Sequence, residues 1–261
     1  MRIVFVRHGE PDYQHDCLTE TGKQQALLCA ERLREEGISE IWSSPLGRAA
    51  ETAAAASRAI GLPVRTLDFM HELNWGSRDG SPIFAGGHPW DIADEIARQG
   101  LPLNDPCWRS LPFFRNNTAV DSVNLVEEGI DGWLSSLGYL REGCYYRCTR
   151  KNDDQKTVAL FSHGGSSGAA MGHMLNLPFP FACALFHLEF TGITVLRLDR
   201  RPGSLNTPAS SWLTTAAISG AKAITASKIC NPAPQSSLPS RRGGSFVISG
   251  FPRPNQISPG R

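Results

Sequence analysis

The sequence predicts an α/β fold of three layers, α/β/α, with a largely parallel central sheet. Three observations predict it. Short apolar runs rich in β-branched residues alternate with helical patterns along the first 199 residues. The runs are apolar at consecutive positions, as in strands buried on both faces, not alternately apolar and polar. Each run stops at Gly, Pro or a polar residue, where a loop begins.

The elements follow in order. Arg2 to Val6 is a short β-branched run that ends at Arg7-His8-Gly9, a buried strand and its loop. Thr19 or Thr21 can cap a helix that runs to about Glu36 and is ended by Gly37. Ile38 to Ser43 is a second strand, stopped by Pro45, and the Ala-rich stretch from Leu46 to Ile60 is a helix closed by Gly61-Leu62-Pro63. Val123, Val126, Ile130, Trp133, Leu134 and Leu137 keep helical spacing and place an amphipathic helix at about 121–137. Thr157 to Phe161 and Gly192 to Leu198 are further strands.

Composition bounds the function. The 261 residues hold 26 Lys+Arg against 25 Asp+Glu, a net charge of +1 that argues against a dedicated nucleic-acid binder. The balance is uneven: the stretch from Arg200 onward carries eight of the basic residues and none of the acidic ones. That stretch is also rich in Ser, Pro, Ala and Gly, a composition that buries little apolar surface. The working domain is therefore expected over 1–199, with 200–261 a basic, low-complexity, flexible tail whose removal near Asp199 leaves activity intact. A membrane span needs about 18 uninterrupted apolar residues, and the chain has no such run. The opening apolar stretch is too short for a signal peptide. Seven cysteines without paired spacing read as reduced core thiols of a cytoplasmic protein, and Cys144 and Cys148 alone do not make a metal site.

In open α/β sheets ligands sit beyond the carboxyl ends of the strands. The residues there are Arg7-His8-Gly9, Ser43 to Arg48, and Ser162-His163-Gly164-Gly165. Two arginines beside two imidazoles suit a phosphoryl group: guanidinium forks match its oxygens and a neutral imidazole can attack phosphorus. The glycines after His163 let backbone approach closely, and the following helix would aim free N–H groups at an anion.

Five segments carry a family resemblance. They are Arg7-His8-Gly9-Glu10; Asp16-Cys17-Leu18-Thr19-Glu20-Thr21-Gly22 with Gln25-Ala26; Ser43-Ser44-Pro45-Leu46-Gly47-Arg48; His71-Glu72-Leu73 to Gly80; and Ser162-His163-Gly164-Gly165. In this order they resemble the signature of the histidine phosphatase superfamily, whose fold is phosphoglycerate-mutase-like. The resemblance implies that His8 is the nucleophile that becomes phosphohistidine. Arg7, Arg48 and His163 would hold the phosphoryl oxygens, and Glu72 would be general acid and then base. Gln14 and Gly164 join the expected substrate contacts. The resemblance calls for no metal and no organic cofactor.

Gln14 stands where the family's mutases typically carry Asn, and the mutases' basic substrate region is not recognisable between Arg78 and Arg150. The expected activity is therefore a metal-independent phosphatase acting on a small phosphorylated substrate. A mutase-type phosphotransferase is the alternative, and a silent phospho-ligand binding protein a third. Residues 81–155 are expected to form an insertion capping the site over the sheet edge, with Trp90, Trp108 or Arg115 lining the leaving-group pocket. The remaining histidines, His15, His71, His88, His173 and His187, match no motif position and read as structural or rim residues. Helix-packed enzymes acting on small molecules are often homodimers, and the sequence leaves the oligomeric state open between that and other assemblies.

Overall fold

Apolar residues on both sides of one strand set the architecture. In β1 (Arg2–Arg7), Ile3 and Phe5 face one core and Val4 and Val6 the other, all essentially inaccessible, so helices must cover both faces. The computed structural model describes residues 1–152 and 154–214. After β1 the chain makes a two-stranded turn, β2 (Pro11–Asp12) and β3 (Cys17–Leu18), then α1 (Glu20–Leu33), β4 (Glu40–Ser43), α2 (Gly47–Ile60) and β5 (Val64–Thr66). Next come α3 (Pro89–Arg98), α4 (Pro112–Arg115), α5 (Ala119–Ser136) and the hairpin of β6 (Tyr139–Glu142) and β7 (Tyr145–Cys148). The chain then forms β8 (Thr157–Ser162), α6 (Gly164–Met174), α7 (Phe179–Leu185), β9 (Ile193–Arg197), β10 (Leu205–Asn206) and β11 (Ala209–Thr214).

The main sheet has the order β11-β9-β1-β8-β4-β5. β1, β8, β4 and β5 run parallel; β9 pairs antiparallel with β1 and β11 antiparallel with β9, so among the six strands β9 runs against the rest. Helices α1 and α2 pack on the Val4/Val6 face, and α3, α5, α6 and α7 contribute to the core on the Ile3/Phe5 face. Thr19, not Thr21, caps α1: its Oγ accepts the Gly22 N–H at 3.0 Å. Gly37 and Gly61 end their helices in the left-handed region at φ 64° and 82°, where a Cβ would be strained.

Three expectations need correction. The 81–155 segment is not one cap. Its helix α5 is a layer of the core, with Val123, Val126, Ile130 and Leu134 buried in the same cluster as Phe5 and Leu160. Its hairpin lies at the amino end of β1, where the Tyr139 hydroxyl accepts from the Met1 ammonium at 3.1 Å, away from the carboxyl-end rim. The amphipathic period placed α5 correctly, but a helix's pattern does not say which layer it joins. The boundary at 199 also falls short. β10 pairs with β7, and β11 pairs with β9 over Ala209–Thr214, extending the main sheet. Strand-forming residues there are hidden in a window whose average composition is that of a tail; the rest of the expected tail, 215–261, lies outside the described residues. Finally, Cys29, Cys148 and Cys183 are buried, but Cys107 and Cys144 are exposed, so only some of the thiols belong to the core.

Candidate active site

Strand register brings the two motif histidines together. Arg7 of β1 pairs with Ser162 of β8, and the His8 N–H donates to the Ser162 carbonyl at 2.9 Å. His8 and His163 therefore leave the sheet side by side, with ring centroids 5.1 Å apart. β4 lies on the other side of β8, and the Ser44 N–H donates to the Phe161 carbonyl at 2.8 Å, bringing the segment before Arg48 to the same rim.

The geometry fixes a tautomer. His8 Nδ1 lies 2.7 Å from the Gly9 carbonyl, which can only accept. The ring proton therefore sits on Nδ1, and Nε2 keeps its lone pair. Burial, followed by the repulsion of Arg7 and Arg48, pulls the His8 pKa down to about 4, despite the opposing Gly9 bond. The ring is thus neutral at pH 7. His163 Nε2 meets Ser44 Oγ at 2.8 Å, while Ser44 Oγ accepts the Leu46 N–H at 3.2 Å. Ser44 is satisfied when it donates to Nε2, which leaves the ring proton on Nδ1, a buried atom without a partner among the described residues. Burial, then His8, Arg48 and Arg7, hold the His163 pKa at about 2.

The two guanidiniums are held by different devices. Arg7 lies over the Phe190 ring, 4.3 Å from its centroid, and donates through Nη1 to the Leu188 carbonyl at 2.5 Å. Arg48, in the first turn of α2, donates through Nη1 to Asp16 Oδ1 at 2.5 Å. In both, Nε is buried and unpartnered among the described residues, so donor capacity is left over for an anion.

Glu72 completes the group. Its Oε1 accepts from the Leu73 N–H at 2.9 Å and from the Ser166 N–H at 3.2 Å, in the first turn of α6. Burial raises its pKa above the ordinary carboxylate range; those two N–H groups and the arginines offset this only in part. The free N–H expected for an anion at the start of α6 thus serves, at Ser166, the carboxyl group. Ser162 Oγ and Ser166 Oγ both donate to the Met70 carbonyl, at 3.0 and 3.2 Å, and fix the loop that carries Glu72. Gly165 is required here: a Cβ would lie 2.5 Å from Glu72 Oε1.

A cleft of about 330 Å³ opens over Arg7, Glu72 and Gly164. Tyr13, Trp75, His88, Trp90, Phe186, His187, Leu188 and Glu189 line the rest. Five expected residues, His8, Arg7, Arg48, Glu72 and His163, thus converge, with Gly164 beside them. Gln14 does not join them: it is exposed, with its main-chain N–H on Asp12, and Tyr13 lines the cleft instead. Of the expected pocket residues only Trp90 lines the cleft. Trp108 is 2 % exposed and packs on Phe114 and Phe179, because the turn before α4 points it inward. Arg115 is exposed and donates to the Ser110 carbonyl. Asp16 and Ser44 lie inside the sequence motifs, but only the fold shows that they hold Arg48 and His163. His88 and His187 are rim residues, as read; His15 pairs with Asp12 and His173 with Asp131.

Comparison with known proteins agrees with this geometry. The family model described as histidine phosphatase superfamily (branch 1) matches residues 3–92. A probable phosphoglycerate mutase GpmB of Yersinia pestis is 40 % identical over 208 residues, covering 76 % of this chain and 85 % of that protein. The chain belongs to the histidine phosphatase superfamily. Among solved structures, mycobacterial glucosyl-3-phosphoglycerate phosphatase with inorganic phosphate is similar at 26 % identity and TM-score 0.55, over 84 % of this chain and 99 % of that one. A structure titled mycobacterial hydrolase 2 matches with 26 % identity and TM-score 0.58, over 84 % and 93 % of the two chains. Within the histidine phosphatases, this protein is an enzyme of the phosphatase or mutase kind.

Proposed function

We propose that the protein is a phosphomonoesterase working through a phosphohistidine on His8. The observation that carries the reading is the neutral, Nδ1-protonated His8 ring set among Arg7, Arg48 and His163. Nε2 attacks phosphorus, and the P–O bond to the alcohol breaks as the N–P bond forms. The developing charge on the phosphoryl oxygens is met by the two guanidiniums and the His163 Nδ1–H, fixed before substrate arrives. Glu72, whose pKa burial raises, gives its proton to the leaving oxygen. As a carboxylate it then takes a proton from water, which attacks phosphorus, releases inorganic phosphate and restores His8. The positive charge this mechanism needs comes from Arg7 and Arg48, so the proposal includes no metal.

The mutase reading draws on the name of the Yersinia relative. A mutase must hold a second anionic group of its substrate while the phosphoryl group moves. Beyond Arg7 the cleft contains no Lys or Arg among the described residues, and it carries Glu189, which favours transfer to water.

The test is a single-turnover reaction with a labelled aryl phosphate, quenched in alkali, in which phosphohistidine survives. An alkali-stable label on His8, absent from His8→Ala, together with phosphate release supports the proposal. Phosphate returned only to a second substrate molecule, and only with a bisphosphorylated primer, would establish the mutase.

A further inference from the structure

The mouth of the cleft has an aromatic wall and an acidic one. Trp75 and His88 meet edge-to-face with centroids 5.2 Å apart, and His88 and Trp90 follow at 5.4 Å, so three rings from one segment form a continuous surface. Trp75 is 41 % exposed, so its ring is open to a ligand in the cleft. The other wall is the 186–189 segment, where Leu188 is half-buried and Glu189 exposed. No Lys or Arg among the described residues pairs with Glu189. Arg7, the cationic residue of the lining, is turned to the phosphoryl end by Phe190 and the Leu188 carbonyl. His88 Nδ1 faces the Asp91 carboxylate at 3.0 Å.

We infer that this mouth selects a phosphomonoester whose leaving alcohol carries a flat ring and no second anion, a cationic substituent being preferred to an anionic one. The inference rests on the phosphatase reading and adds the substrate class. Ring faces offer a planar group offset or edge-to-face contact, and their negative quadrupole attracts a cation. A second carboxylate or phosphate would meet Glu189 with no cation to offset the repulsion.

Two matched pairs of esters test it on the full chain. Benzyl and n-butyl phosphate differ in the ring. The phosphates of 4-(2-aminoethyl)phenol and 4-(2-carboxyethyl)phenol differ in charge at similar leaving-group chemistry. The expected kcat/KM ratios are about ten-fold for benzyl over butyl and about five-fold or more for amine over carboxylate. Trp75→Ala with Trp90→Ala should collapse the first ratio, and Glu189→Lys should invert the second. Inhibition by inorganic phosphate should stay the same in both, since it reports the phosphoryl end alone. Equal kcat/KM across each pair, or ratios unmoved by these variants, overturns the inference while leaving the phosphatase reading intact. If no ester is hydrolysed the phosphatase reading fails instead. Quenching of tryptophan fluorescence by benzyl against butyl phosphate then decides the ring preference, equal affinity overturning it.

Discussion

Asp16 holds Arg48 by its Oδ1 at 2.5 Å and, by its Oδ2, the Gly47 N–H at 2.7 Å. One carboxylate from the β2–β3 turn thus fixes both the start of α2 and the guanidinium that α2 carries. Its backbone is left-handed, φ 48°, a conformation that Asp tolerates better than most residues. Asp16→Ala should lower kcat/KM by about 10- to 100-fold, the equivalent of one charged hydrogen bond of about 1.5–3 kcal/mol. Asp16→Asn, which can keep one of the two bonds, should fall between. Steady-state kinetics with phosphate inhibition checks this; weakened phosphate binding should accompany the loss.

The pH profile has a worked sign. Attack needs His8 neutral, and that condition fails as pH falls through about 4. Proton donation needs Glu72 protonated, and that fails as pH rises through its elevated pKa. The plot of kcat/KM against pH should be a bell, its acid limb set by His8 and its alkaline limb by Glu72. Glu72→Gln should lower activity and remove the alkaline limb; an unchanged limb would assign it to another group.

Stability should show the same histidines. Their folded pKa values, about 4 and about 2, lie below the unfolded value, so the unfolded chain binds more protons in acid. The stability contributed by the two neutral rings is full above pH 6.5 and falls as pH drops through it, by about 1.4 kcal/mol per pH unit for each ring until its folded pKa is reached. The raised Glu72 pKa acts in the opposite sense. Urea unfolding at pH 7 and pH 5 measures the slope, and His163→Asn should make it shallower.

Gly165→Ala should damage catalysis more than folding. Its Cβ would fall 2.5 Å from Glu72 Oε1 and 3.0 Å from the Leu73 side chain. Relief requires Glu72 to move off the Ser166 N–H. We expect kcat to fall by about 100-fold, within the contribution of a general acid, while Tm changes by a few degrees.

Trp108→Ala should do the reverse. An inaccessible indole packed edge-to-face on Phe114 costs about 3–5 kcal/mol when truncated, whereas substrate preference should not change. Thermal unfolding and the same ester panel separate the two. Ending the chain at Asp199 in place of Thr214 strips β9 of one of its two paired neighbours, β11, and should lower Tm, contrary to what the composition of that segment suggests.

Legibility in the sequence followed the type of constraint. His8, Arg7, Arg48, Glu72 and His163 could be read because each follows a buried strand or sits in a spaced motif, and strand ends converge by topology. α5 and α2 could be read from their apolar period and their terminal glycine or cap. Tyr13, Trp75 and His88 could not, because the path of a loop decides whether an aromatic ring meets the cleft. Trp108 looked the same as Trp90 in sequence, yet a turn buries one and leaves the other at the rim. Gln14 was one residue from the position that lines the cleft, since the turn between β2 and β3 sets which side chain points in. The hand-over of the Ser166 N–H to Glu72 depends on a contact between segments 94 residues apart.

The ladder from Arg2↔Thr157 to Arg7↔Ser162 welds the His8 and His163 rings to adjoining rails of backbone. Their separation is therefore set by strand register, although more than 150 residues lie between them in the chain. Exchanges confined to the stretch that carries Trp75, His88 and Trp90 can reshape what the enzyme admits while that spacing stays put, which makes the mouth the natural place to re-engineer selectivity.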